Sequence, residues 1–132
     1  MVYVGHFFHL TDQQATLEAD RRHGEFNLIV EADNAETAVS MFKERIISLR
    51  QSRDFFQGDC SIFFVQLVEF EGFPEQRAMM LNYKSVAGDP IMPFIGCSLP
   101  SEETDWCSIY EWKDDKPEID GEAKGVFLSF KG

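Results

Sequence analysis

One stretch of this chain, Asp33 to about Ser52, carries a start signal, a helical period and an end signal together. Asp33 has the short carboxylate that accepts from first-turn N–H groups, and Glu36, three residues on, can reach back as in a capping box. Ala35, Ala38, Val39, Phe42, Ile46 and Leu49 then recur at the spacing that lines one face of a 3.6-residue period. At about 1.5 Å per residue such a helix spans roughly 25 Å, enough to lie across several strands about 4.8 Å apart. Everything else must be arranged as strands and connections around that single cover.

The strand candidates are rich in β-branched and aromatic residues. Val2 to Leu10 is apolar on both faces, with Val2, Val4, His6, Phe8 and Leu10 on one and Tyr3, Gly5, Phe7 and His9 on the other. It reads as an interior strand. Thr11 to Gly24 is polar and reads as a long connection, whereas Glu25 to Ala32 alternates as a half-buried strand. After the helix, Phe55 and Phe56 are expected to turn onto the core around Gly58. Cys60 to Glu71 is the strongest strand and is expected at the sheet centre. Arg77 to Val86 reads as its antiparallel successor, and shorter candidates follow at Phe94 to Leu99, Cys107 to Trp112 and Gly125 to Phe130. The order β-β-α-β-β-β-β predicts an α+β fold, with one main amphipathic helix packed on a mainly antiparallel sheet of about five to six strands.

Length bounds the organisation. The 132 residues suit one domain over 1–132, and thirteen phenylalanines supply large core pieces without staples. No run of about 18 apolar residues can span a membrane. The start of the chain lacks a basic segment before its apolar run, so no signal peptide is expected. Three widely spaced cysteines, Cys60, Cys97 and Cys107, do not form a disulfide framework, and reduced thiols in the cytoplasm are expected.

Charge placement says more than the net value of −11. From Glu102 to Glu122 nine acids face only Lys113 and Lys116, while Lys43, Arg45, Arg50 and Arg53 cluster against Glu44. A dipolar surface is expected. General nucleic-acid binding is not, because it relies on Lys and Arg neutralising phosphates.

Candidate chemistry is sparse. His6 and His9 lie three apart in a strand and so point to opposite faces, which opposes a shared metal ion. His9 joined by His23 and a cysteine across the fold is the one arrangement that would restore a metal. No nucleophile elbow, phosphate-cradling loop or His-Glu-x-x-His helix is present, so no cofactor and no catalytic residue is assigned. Asp114, Asp115, Glu118, Asp120 and Glu122 do not follow a calcium-loop order.

Three functional readings follow. The leading one is a non-enzymatic interaction module, inhibitor- or antitoxin-like at most, whose acidic segment meets a basic protein partner. Glu102, Glu103, Asp105, Trp106, Trp112, Asp114, Asp115, Glu118 and Asp120 would make that contact. Arg45, Arg50 and Arg53 are a second candidate surface, for an anion or a partner. The alternative is a small-molecule domain or small enzyme with a cleft formed by phenylalanines, Tyr83, His9 and Cys107. The third is a homo-oligomeric subunit in which the basic helix end of one copy meets the acidic loop of another.

Overall fold

A computed structural model describes residues 1–88 and 128–131. Contacts within the chain fall into two compact units, Met1–Met80 and Leu81–Gly132. The first contains strand β1 (Val2–Thr11), a 3-10 turn (Glu18–Asp20), strand β2 (Arg22–Glu31), helix α1 (Ala35–Ser52) and strand β3 (Cys60–Phe70). Of the second unit, residues 81–88 and 128–131 have no regular secondary structure.

The described fold is α+β, with one helix on a three-stranded antiparallel sheet of order β2-β1-β3. The β-β-α-β beginning of the expected order is present. Among the described residues, two expectations for the sheet are corrected. The centre is β1 rather than β3, so the two-faced strand that the sheet surrounds is Val2–Thr11. Residues 77–86, which follow the turn at Gly72, Phe73 and Pro74, also form no strand. Apolar content lies within 77–86 and turn punctuation flanks it, yet Met80, Leu81 and Val86 remain largely exposed. The candidates at 94–99, 107–112 and most of 125–130 lie outside the described residues.

Register assigns the faces. In β1 and β2, Tyr3 opposes Val30, Gly5 opposes Leu28 and Phe7 opposes Phe26. Across β1 and β3, Gly5 opposes Leu67, Phe7 opposes Phe64 and His9 opposes Ile62. Opposed residues share a face. The pairing shifts between His6 and Phe7, leaving Val65 as the extra residue of a bulge. The shift keeps the apolar phase of β3 aligned with β1 on both sides.

Helix α1 covers the Tyr3–Gly5–Phe7 face. Tyr3, Phe7, Ala38 and Phe42 are the buried centre, with Phe26, Leu28, Val30, Ile46, Ile62 and Leu67 packed against them. Phe7 stacks on Phe26 at 5.1 Å between ring centroids and meets Phe42 edge-on at 5.7 Å. Gly5 makes this close approach possible, since a Cβ there would lie 2.7 Å from the Phe7 ring and 2.9 Å from that of Phe42. The buried stripe of the helix is Ala38, Phe42 and Leu49, with Ala35 and Ile46 half-buried, while Val39 lies outside it and is exposed.

The helix start is also corrected. Asn34 is the cap, its side-chain Oδ1 accepting from the Thr37 N–H at 2.8 Å, and Asp33 stands one residue before it. Ala32 still donates to the Met1 carbonyl, so the strand course runs that far and Asp33 makes the bend. At the other end, the Gln57 amide donates to the carbonyls of Arg50, Arg53 and Phe55, meeting acceptors that the helix leaves open. Phe56, with φ 58°, then folds back onto Phe26 at 4.9 Å, as the sequence anticipates for this connection.

Candidate functional site

Among the described residues no helix covers the other sheet face, although Val2 at one end of it is 2% exposed. Val4, His6, Phe8 and Leu10 of β1 lie on it, flanked by His23, Glu25, Asn27, Ile29 and Glu31 of β2 and by Ser61, Phe63, Gln66, Val68 and Phe70 of β3. Ile29 is 58% exposed and Phe63 48% exposed. Phe8 sits between Phe63 and His23, with ring centroids 6.4 and 6.1 Å away. His6 bonds through Nδ1 to Asn27 Oδ1 at 2.8 Å, and its Nε2 lies 3.5 Å from Glu25. The register puts two glutamates on this face and no lysine or arginine. Its character is therefore apolar at the middle and acidic along the β2 side.

A second feature lies where β1 ends and β3 begins. Asp12, at φ 52°, exchanges backbone and side-chain bonds with Asp59: Asp12 N–H donates to the Asp59 carbonyl at 2.8 Å, and Asp59 N–H donates to Asp12 Oδ1 at 3.0 Å. Gly58, at φ 86°, lets the chain pass the Asp12 carboxylate, because a Cβ there would stand 2.5 Å from its oxygen. This clasp fixes Cys60 opposite Thr11. Thr11 is 5% exposed and its hydroxyl bonds on both sides, to Cys60 Sγ at 3.2 Å and to His9 Nδ1 at 2.9 Å.

Beside this chain of bonds is an open cleft of about 700 Å³, to which Gln13, Gln14, Arg50, Asp59, Cys60 and Phe63 contribute. The polar connection before β2 is tied down here: Gln13 donates to the Thr11 and Arg22 carbonyls, and Arg21 to that of Ala15. Burial lowers the pKa of His9 below the usual histidine value, assisted by the positive charges of His23 and Arg22, and so favours its neutral form. On the covered face, burial raises the Tyr3 phenol, and the neighbouring Glu69 adds to this by charge and hydrogen bond.

The residues expected to carry function fall into separate groups. Glu102, Glu103, Asp105, Trp106, Trp112, Asp114, Asp115, Glu118 and Asp120 lie outside the described residues. Arg45 reaches Ser48 Oγ, Arg50 donates to the Phe56 carbonyl, and the Arg53 N–H bonds the Leu49 carbonyl as the helix ends. Their bonds to the chain itself support the helix and its exit. His6 and His9 do point to opposite faces, and the described residues contain no group of ligands suited to a metal ion.

Within the expected cleft, Tyr83 is 78% exposed in an unpaired stretch and Cys107 is not described. Cys60 instead is the thiol that joins His9, through Thr11. Sequence reading placed Cys60 only as the start of a strand. The spacing of His9 and Thr11 on one face was visible, but the partner emerges only once the β1–β3 register is known.

No protein-family model, curated protein or solved structure matches the chain. Among the described residues, no helix is long and apolar enough to cross a membrane.

Proposed function

We propose that this chain is a non-enzymatic protein-interaction domain that meets a basic protein partner through the open sheet face of its first unit, with the acidic 102–122 segment as a separate candidate contact. The observation that carries the reading is the exposure of Ile29 and Phe63 on a face with Glu25 and Glu31 and no lysine or arginine. Large apolar side chains concentrated on one surface supply contact energy, and carboxylates beside them select the charge of the partner. The sequence-wide charge of −11 favours encounter with a basic protein over an acidic one. The free thiol of Cys60 suits a reducing, cytoplasmic setting.

Photo-crosslinking from the face itself tests this. A benzoylphenylalanine at position 63 in the full chain, irradiated in lysate of the native cell, is expected to join a basic protein at low salt and to lose that product at high salt. The same group at position 47, on the exposed side of the helix, should give no such product. Equal products from both positions, a product indifferent to salt, or a product consisting of a second copy of this chain would overturn the reading.

A further inference from the structure

We propose that the outer edge of β3 takes up an extended segment of the partner, bearing lysine or arginine, as a fourth strand of the sheet. This rests on the reading of the chain as a binder of a basic protein and specifies how such a protein docks.

Among the described residues, the outer strands β2 and β3 each have a neighbour on one side only, so every second residue turns its backbone N–H and C=O away from β1. The two edges differ in what guards them. β2 carries Arg22, His23, Glu25 and Glu31 among its ten residues, the kind of charge that keeps an outer strand from pairing. β3 carries one charge, Glu69, in eleven residues, with no proline and no lysine. Its middle is apolar and exposed on both faces. Phe63, on the open face, is 48% exposed, and Phe64, on the helix side, is 46% exposed because α1 packs over β1 and β2. Val65, the extra residue of the bulge, is 57% exposed, so the bulge leaves this edge apolar rather than charged. A strand laid beside β3 covers Phe63 with one set of its alternating side chains and Phe64 with the other, while its backbone bonds to the edge.

Charge selects the occupant. From 54 to 76 the chain has Asp54, Asp59, Glu69, Glu71 and Glu75 and no lysine or arginine. Asp59, Glu69 and Glu71 are exposed around the two ends of β3. Arg50 lies near the Cys60 end, on the cleft it shares with Asp59, so the 66–70 half is the acidic one. A lysine or arginine set opposite Glu69 makes a cross-strand pair of opposite charge. A second copy of this chain brings the same acids and a net charge of −11 of its own, which opposes its approach at low salt.

Amide hydrogen exchange in the full-length chain, followed by NMR at low salt, tests this with a blocked peptide of alternating lysine and valine. In the free chain the β3 amides are expected to divide, one set protected by β1 and the alternate set exchanging fast. The peptide should slow the fast set at least about tenfold. A peptide of alternating glutamate and valine, or the lysine peptide with prolines in place of alternate valines, should not. Val65→Lys, which puts a guarding charge on the edge, should abolish the slowing and Val65→Thr should keep it, with unchanged exchange in α1 showing that both variants are folded. The proposal is overturned by a fast set already protected in the free chain, whether by its own later residues or, with a dependence on protein concentration, by a second copy. Equal slowing by the glutamate or proline peptide, slowing that survives Val65→Lys, or no slowing by the lysine peptide would also overturn it. Peptide-induced shifts confined to Phe8, Glu25 and Ile29, with the edge still exchanging fast, would remove the edge alone. Photo-crosslinking at position 63 judges the wider reading separately, since a salt-sensitive basic product that persists in Val65→Lys supports the open face without the edge.

Discussion

At the scale of single residues, the tightest constraints come from side chains that are absent. Gly5 lies beneath the Phe7 and Phe42 rings with no space for a methyl group, and Gly58 combines a left-handed backbone with the Asp12 carboxylate. Gly5→Ala is expected to destabilise the protein by about 1–3 kcal/mol through overpacking, read as a lowered midpoint of thermal or urea unfolding. His9 sets a pH dependence of known sign. Its folded-state pKa is lowered, so the unfolded chain binds the proton more readily. The associated stability is present above the ordinary histidine value of about 6.5 and is lost as pH falls through the interval below it. Thermal unfolding followed from pH 7.5 to pH 5 should therefore show a falling midpoint, with a smaller fall in His9→Gln. None of this was legible in the sequence at the residue scale, because a glycine or a histidine in a strand has no stated neighbour until register supplies one.

At the scale of elements, periodicity identified what lies within reach of one segment and missed what depends on pairing. The helix, the two-faced first strand and the alternating second strand are all local patterns, and all three are present, the helix and first strand within two residues of the expected bounds and the second strand beginning three residues earlier, at Arg22. The cap went to Asn34 instead of Asp33 because the preceding strand continues to pair through Ala32. Both residues have a suitable side chain, so composition could not separate them. Asn34→Ala is expected to cost about 1 kcal/mol, whereas Asp33→Ala should change stability by less than about 0.5 kcal/mol, and paired chemical unfolding curves will distinguish the two. Strand position was less accessible. Apolar character on both faces marked β1 and β3 alike, yet β1 is central and β3 exposes Phe63, Phe64 and Val65. The helix packs over β1 and β2, which leaves Phe64 46% exposed even on the covered side.

At the scale of the whole molecule, the two faces of the described sheet differ: one is covered over β1 and β2 by a helix, and the other presents apolar and acidic groups that no described helix covers. The strong acidic bias was legible from the sequence, but the bare face was not, since Val4, Phe8, Ile29 and Phe63 look like core residues until the helix is placed on the opposite side. The most direct measurement compares the two faces by mutation in the full-length chain. Ile29→Lys and Phe63→Lys put charges on the bare face, while Phe42→Ala removes a ring from the sealed one, where such truncation costs about 3–5 kcal/mol. If the bare face is free for a partner, the two lysine variants unfold close to the wild-type temperature and Phe42→Ala unfolds far below it. A loss of stability in Ile29→Lys and Phe63→Lys as large as that in Phe42→Ala would identify the face as core and contradict the account.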